Sequence, residues 1–495
     1  MLASLPLSRP IRSMFSYPAS HPLFFVFIIL HIAGIALAFP ALLYTRTPQG
    51  SIAWVISLVF FPYVAVPLYL ILGPRRFEGY IEMRRTSQKN NDVLNLLSDD
   101  ISNQLKEYLK SEQGKHSGFF RMLTHLSNLY ICRGNSCKLL IDAQSAYPDI
   151  YDAIRNAKDY ILVEFYIIKS DLVGDILRKL LIERAREGVR VYVIYDEIGS
   201  HKLPPGYISS MRRAGIRIQP FNGKRFFLRN IVRVNFRNHR KIVVVDGKIG
   251  FVGGMNIGLE YIGQSNLGYW RDTFLGLSGP AVIQAQLTFL EDWLWATNGN
   301  IPELSWVIYP QPQDMSVLML PSGPADRVPT WRTTVIALAN AARRRLWIAT
   351  PYFVPDEATF ASLQAAALRG VDVRILKPEK ADHPMVKLSS MTYLPETVPF
   401  GIRIYHYIKG FMHQKVILVD DDLATVGTAN LDNRSLTLNF EITAIVHDPE
   451  FAGNVHQMLK KDFDDSQLVD PKDYASKPLL YKIICNFFRL LAPIQ

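Results

Sequence analysis

The chain has 495 residues and a net charge of +11, with a sequence pI near 9.3; that length suffices for two or three domains, and the charge favours an anionic partner. It is 49% hydrophobic and 20% charged with a mean hydropathy of +0.07, more apolar than an ordinary soluble enzyme, so part of it is expected in lipid. Three cysteines, Cys132, Cys137 and Cys485, exclude a disulfide scaffold, and the C-x4-C pair lacks the further ligands of a zinc site.

In chain order, residues 23–44 (LFFVFIILHIAGIALAFPALLY) are apolar except for His31, and residues 51–73 (SIAWVISLVFFPYVAVPLYLILG) carry no charge. Each has the ~20 residues that a spanning helix needs. Both are too long for a signal sequence, and no small-residue cleavage site separates them. The pattern predicts a short tail over 1–20 and a transmembrane helical hairpin over 21–73. Arg9 and Arg12 precede the hairpin, and Arg75, Arg76, Arg84, Arg85 and Lys89 follow it, against Arg46 alone in the loop. Basic residues stay on the cytoplasmic side, so both termini and the large C-terminal portion are expected there.

Residues 74–136 read as a polar linker with helical periodicity over 93–108. From about Cys137, apolar runs suited to strands buried on both faces alternate with helical patterns. YILVEFYII (160–168) and VRVYVIYD (189–196) read as strands, with a helix ending on Gly188 between them. RLWIATPYFV (345–354), ASLQAAALRGVDVRIL (361–376) and a second GIRI at 401 repeat this order. The turn-rich stretch 297–314 makes a natural linker. At the end, LLYKIICNFFRLLAPIQ (479–495) places Ile483, Ile484, Phe487, Phe488 and Leu491 on one helical stripe, suited either to a bilayer surface or to docking on the protein.

One sentence of sequence is written twice. NHRKIVVVDGKIGFVGGMN (238–256) contains His239, Lys241, Asp246, Gly253 and Asn256; MHQKVILVDDDLATVGTAN (412–430) contains His413, Lys415, Asp420, Gly427 and Asn430. The offset is 174 residues at all five positions (413 − 239). In each copy the His-x-Lys is expected to lead into a strand, with both side chains on one face, and the Asp to begin a tight turn. The Gly is expected where a backbone comes close. A His serves as nucleophile, base or acid near pH 7, a Lys supplies positive charge for a phosphate oxygen, and an Asn amide donates to another. Two such sets face to face would equip covalent phosphoryl transfer, one His attacking phosphorus while the other protonates the leaving oxygen.

The doubled pattern H-x-K-x4-D-x6-G-[GST]-x-N resembles the signature of the phospholipase D superfamily. The apolar hairpin followed by LGPRRFEGY, then EFYI, DEIGS, HRKIVVVDG, WRDT, PSGP and TPYFVPD, resembles bacterial cardiolipin synthases in order and content over nearly the whole chain. The resemblance implies an α/β fold: two duplicated phospholipase D-like domains, 137–300 and 301–470, related by a pseudo-twofold, behind the two-helix hairpin and before an amphipathic helix over 471–495. It implies catalysis by His239, Lys241, Asp246, His413, Lys415 and Asp420, with His239 as nucleophile, His413 as acid, and neither metal nor cofactor. Lys241, Lys415, Asn256 and Asn430 would hold phosphate oxygens, while Asp246 and Asp420 would brace the turns rather than touch substrate. In the family a carboxylate beyond the motif orients each ring; Glu441 would serve His413, and Asp272 would serve His239. Two departures stand out. The Ser that often follows the motif Gly is Gly254 here in the first copy and Thr428 in the second, and the family's WRDTH is WRDTF, with Phe274.

The implied reaction joins two phosphatidylglycerol molecules into cardiolipin and glycerol at a bacterial inner membrane, with membrane lipid and not nucleic acid as partner. Relatives that use phosphatidylethanolamine share these motifs, so the acceptor alcohol stays open. A phosphodiesterase with water as acceptor shares the chemistry. A nuclease finds support only in the basic, aromatic insertion 224–237, and a non-enzymatic scaffold would show a ruined motif, whereas both are intact.

Overall fold

The computed structural model describes residues 22–45, 48–73, 80, 101, 103–109, 115–222, 236–297 and 302–492. The basic residues that flank the apolar segments, and all of the insertion but its last two residues, lie outside the described residues. The chain forms two compact units, the N-terminal apolar segment and the main body.

In the apolar unit, α1 (Pro22–Tyr44) is a 23-residue helix and, among the described residues, the one helix long and apolar enough to cross a membrane. The second apolar stretch differs from the single span expected of it. It is two helices, α2 (Pro48–Phe60) and α3 (Pro62–Leu72), of 13 and 11 residues. Pro62 has no N–H to continue the ladder and forces the residue before it out of helical geometry; Phe61 sits at φ −130°, ψ 50°. Ala41, Leu58, Ala65, Val66 and Tyr69 close the packing of the three helices. Gly34 permits it, because a Cβ there would lie 2.2 Å from the Leu58 carbonyl oxygen.

The main body is one mixed sheet of 16 strands with helices on both faces. Its first half contributes β1 (Cys132–Ile141), β2 (Tyr160–Phe165), β3 (Arg190–Tyr195), β4 (Arg217–Pro220), β5 (Arg237–Asn238), β6 (Ile242–Val245), β7 (Ile249–Gly253), β8 (Tyr269–Arg271) and β9 (Thr273–Ser278). Its second half contributes β10 (Met315–Ser322), β11 (Arg345–Ala349), β12 (Phe353–Val354), β13 (Asp372–Pro378), β14 (Arg403–Tyr407), β15 (Gly410–Met412), β16 (Val416–Val419), β17 (Leu423–Gly427), β18 (Leu431–Asp432), β19 (Asn439–His447) and β20 (Ser466–Leu468). Sixteen of these form the large sheet, in the order β20-β14-β13-β11-β16-β17-β19-β10-β1-β9-β7-β6-β2-β3-β4 with β5 beside β19, while β12–β18 and β8–β15 pair separately. Outward from the central antiparallel β1–β10 pair, each half runs through four antiparallel strands to a parallel trio, β2-β3-β4 or β11-β13-β14.

The β-branched and aromatic runs read as strands are buried throughout: β2 and β3 hold Ile161, Leu162, Val163, Val191, Tyr192 and Val193 at or near zero exposure. The first half begins at Cys132, five residues before the expected boundary, because Cys132 already pairs with Val317 of β10. Two long helices, α8 (Pro280–Thr297) and α12 (Pro449–Asp464), share one core beneath both halves. On the other face α5 (Asp142–Arg155), α6 (Leu172–Arg186) and α7 (Pro205–Arg213) cover the first half. There α9 (Thr330–Ala341) and α10 (Glu357–Leu368) cover the second, with α4 (Ser117–Ser127) from the connecting segment. Two further helices of the body are α11 (Pro384–Met391) and α13 (Leu479–Leu490). All three cysteines are free thiols.

Candidate active site

The two His-x-Lys motifs lie where the halves exchange strands. Short β5 leaves its own half and pairs in parallel with β19 of the other, so that His239 N donates to Phe440 O at 2.9 Å. Reciprocally, β15 pairs with β8, and His413 N donates to Arg271 O at 2.8 Å. Each histidine is therefore held beside the carboxylate strand of the opposite half.

The ring contacts follow this exchange and correct the pairing expected from sequence. His239 Nδ1 donates to Glu441 Oε2 at 2.8 Å, and His413 Nδ1 donates to Asp272 Oδ2 at 2.7 Å. Glu441 and Asp272 are the orienting carboxylates, but each serves the His of the other motif. A carboxylate only accepts, so Nδ1 carries the proton in both rings and Nε2 keeps its lone pair. The middle residue of each motif ties the same crossing. Arg240 Nε donates to Glu441 O at 3.1 Å, and Gln414 Oε1 accepts from Thr273 Oγ1 at 2.7 Å, next to Asp272. Behind them, Arg240 Nη1 donates to Asp292 of α8 at 2.6 Å, and Gln414 Nε2 to Asp462 of α12 at 2.8 Å.

The departures after the motif glycines fit the two unequal carboxylates. Thr428 Oγ1 donates to Glu441 Oε2 at 2.6 Å, and Ser435 Oγ and Asn439 Nδ2 donate to Oε1 at 2.8 and 3.2 Å. On the other side a Cβ on Gly254 would lie 2.1 Å from Asp272 Oδ1, so the shorter acid occupies the space a hydroxyl would need. Gly253 and Gly427 stand where strands touch: a Cβ would lie 2.5 Å from Thr273 O and 2.6 Å from Ile442 O. Phe274 packs into the first of these contacts.

Lys241 and Lys415 stand one residue before β6 and β16, so each His-x-Lys leads into a strand as expected. His239 to Lys241 lie between β5 and β6, and Lys241 Nζ turns back to His239 O at 2.6 Å. Lys415 Nζ donates to His413 O and lies 3.0 Å from His413 Nδ1. Lys241 is 0% exposed. Asp246 and Asp420 stand at the far ends of their strands. Asp246 accepts from the backbone N–H of Lys158, Asp159 and Tyr160, and Asp420 from those of Arg343, Arg344 and Arg345. Both take positive φ, 53° and 51°, at their turns. Asn256 Oδ1 accepts from Ile167 N at 3.1 Å while its Nδ2 donates to Tyr261 OH, and Asn430 Nδ2 donates to Asp432 at 3.2 Å.

Aromatic residues that the sequence reading left without a role wall the site. Tyr166 stands edge-on to His239 at 5.0 Å between centroids, with Lys241 Nζ 5.4 Å from its ring centre. Tyr261, Trp270 and Phe411 surround His413 at 5.9, 5.2 and 5.9 Å, and Tyr261 OH lies 3.4 Å from its Nδ1. One signal was available: Tyr166 and Tyr352 follow β2 and β11 within three residues, in EFYI and TPYF.

Burial sets the charge states. It lowers His239 to about 4 against the opposing pull of Glu441, with Lys241 and Lys415 adding to the depression. Burial, then Lys415, hold His413 well below its ordinary value, and His239 and Lys241 contribute, so the charges of one half act on the other. Burial lowers Lys415 to about 8 and pulls Lys241 down further. It lifts Asp272 to about 6. Burial alone would raise Glu441 too, yet His239 and Lys241 hold it below the ordinary range, an anion beside a neutral ring.

The family profile described as "Cardiolipin synthase, PLD-like domain" matches residues 150–267 and 335–463. Cardiolipin synthase A of Pseudomonas putida (strain W619) is 42% identical over 478 residues, 96% of this chain and 99% of that one. Cardiolipin synthase A of Pseudomonas aeruginosa (strain LESB58) is 42% identical over 469 residues, 94% of each chain. Among solved structures, phosphatidylserine synthase from Haemophilus influenzae Rd KW20 matches with a TM-score of 0.58 over 77% of this chain and 100% of that one; at 15% identity the likeness shows the fold. The protein is thus of the phospholipase D-like α/β class. Within that class, the chain belongs to the cardiolipin synthase family.

Proposed function

We propose that this enzyme of the cardiolipin synthase family transfers a phosphatidyl group between two phosphatidylglycerol molecules through a phosphohistidine. The observation that carries the reading is the crossed pair of carboxylate-oriented imidazoles, each with a depressed lysine beside it. His239 Nε2 attacks phosphorus, the bond to the glycerol head-group oxygen breaks, and His413, returned to imidazolium by the bound phosphate anion, gives that oxygen a proton. The second phosphatidylglycerol gives its head-group proton to His413 as it attacks phosphorus, releasing His239 and forming cardiolipin, with glycerol as the other product. His239 suits the nucleophile because Glu441 stays anionic; Asp272, lifted to about 6, suits the partner of the acid.

Lys241 and Lys415 are the cations for the phosphate oxygens, and the anion in turn restores their charge. The second N–H of the Asn256 and Asn430 amides adds donors. Asp246 and Asp420 act by holding the turns. Burial keeps water scarce where it competes with the lipid alcohol. The mirrored strand order supports a pseudo-twofold duplication close to the 137–300 and 301–470 halves. Segments α1 to α3 would anchor the chain in the bacterial inner membrane, with the main body cytoplasmic, as the flanking basic residues support.

The test is product analysis with purified full-length protein in phosphatidylglycerol vesicles. Cardiolipin and glycerol in equal amounts support the reading. Phosphatidic acid without cardiolipin would assign hydrolysis, and cardiolipin that forms only with phosphatidylethanolamine present, with ethanolamine released, would reassign the phosphatidyl donor.

A further inference from the structure

The C-terminal helix α13 settles its orientation by packing and leaves one apolar face uncovered. Tyr481, Cys485 and Ala492, spaced four and seven apart, turn into the core of the second half, with Cys485 at 0% exposure. Arg489 locks this seating: it pairs with Glu396, and its guanidinium carbon lies 4.4 Å from the centre of the Tyr393 ring. The remaining face carries Leu479, Leu480, Ile483, Ile484, Phe487 and Leu490, all exposed, with Leu480 at 68% and Phe487 at 58%. The spacing i, i+4, i+8, i+11 makes this a continuous stripe. Phe488, assigned to the stripe by sequence, lies half-buried beside it.

From Ala475 to Leu491 the chain has three basic residues, Lys477, Lys482 and Arg489, and no acid. Glu396 neutralises Arg489, which leaves Lys477 and Lys482 as the charges beside the stripe, and an apolar stripe edged by lysines is complementary to an anionic bilayer surface. The face is a ridge of one 12-residue helix, about 18 Å long by helix geometry, short of the ~800 Å² per partner of a stable protein interface. A bilayer requires no matching groove. The surface also adjoins the site. Helix α13 packs on α11, which begins two residues after Asp382 and exposes Met385 in its first turn. Asp382 accepts from Tyr352 OH, and its charge bears on His413 and Lys415.

We infer that the outer face of α13, continued by Met385 of α11, is a second lipid-contact surface that rests on the anionic leaflet and presents the rim of the active site to it. The inference rests on the proposed lipid substrate for its choice of leaflet, while its physical readout does not depend on activity.

The test uses the full chain in phosphatidylglycerol-containing nanodiscs. Nitroxides are attached at Leu480→Cys or Phe487→Cys, with Asp473→Cys as aqueous control. The background is Cys137→Ser; the remaining Cys132 and Cys485 are both at 0% exposure. The outer positions should collide with dissolved oxygen and be shielded from a water-soluble nickel chelate, and the control should show the reverse. Nickel access at Leu480 and Phe487 overturns the inference. So does spin–spin broadening between protomers, which would assign the face to a second copy of the chain. As a functional arm, Leu480→Glu/Phe487→Glu should lower turnover of vesicle phosphatidylglycerol about tenfold. Turnover of a short-chain, monomeric phosphatidylglycerol should not change, and equal loss on both substrates overturns the inference.

Discussion

Glu441 receives hydrogen bonds from His239, Thr428, Ser435 and Asn439, so its Oε atoms are a fixed cradle for one proton on Nδ1. Glu441→Gln keeps the shape but removes the charge and replaces one of two accepting oxygens with a donor, so the tautomer is no longer selected. Phosphatidyl transfer should drop by about 10²- to 10⁴-fold with little change in melting temperature, read as kcat on phosphatidylglycerol vesicles. Gly254→Ala should be worse for stability than its size suggests. Its Cβ would meet Asp272 Oδ1 at 2.1 Å, and denaturant unfolding should show a loss of about 1–3 kcal/mol together with lost activity. The buried His239, lowered from 6.5 to about 4, links stability to pH. Between those values the folded state binds fewer protons than the unfolded chain. Its contribution is therefore complete above pH 6.5 and is lost as pH falls toward 4. Melting temperature should decline over that window, and His239→Gln should flatten the slope. Residue types and spacings made the histidines and lysines legible, while both carboxylates were nameable only through the family resemblance. The choice of which carboxylate serves which ring was not legible, because it depends on β5 and β15 crossing between halves. Each is only two or three residues long, too short to leave a periodic signal.

At the scale of elements, the motif aspartates act as fasteners between a hairpin turn and the first strand of each half. Asp246 gathers three successive backbone N–H groups before β2, at positive φ, where Asn is tolerated and Ala is strained. Asp246→Ala should lower stability by about 2–4 kcal/mol in denaturant unfolding, while kcat per folded molecule stays within a few-fold. Asp246→Asn should recover part of the loss. A large fall in kcat with unchanged stability would place Asp246 in the chemistry instead. Strand and helix order in the main body was readable from buried β-branched runs and from helices ending at Gly188 and Gly370. The second apolar stretch was misread as one helix because hydropathy counts carbon and not donors. Pro62 passes as apolar while it breaks the ladder.

At the scale of the molecule, strand exchange makes the halves interdependent. Neither half contains a complete oriented imidazole, since His239 needs Glu441 and His413 needs Asp272. The single core beneath both halves, shared by α8 and α12, enforces that arrangement. The α/β class was visible in sequence from apolar runs alternating with helical patterns; the mirrored strand order was not, since pairing across β1–β10 joins residues some 180 apart, such as Cys132 and Val317. The central claim is that two imidazoles from opposite halves share one phosphorus atom. Its most direct measurement is base-quenched mass spectrometry of the full-length enzyme mixed with phosphatidylglycerol, handled at alkaline pH where a phosphohistidine survives, run on the unaltered protein, His239→Ala and His413→Ala. A phosphatidyl adduct on His239 should form in the unaltered enzyme and be absent from His239→Ala. In His413→Ala it should form slowly, for want of the acid, and then persist. An adduct on neither histidine, or near-normal turnover in either variant, would contradict the account.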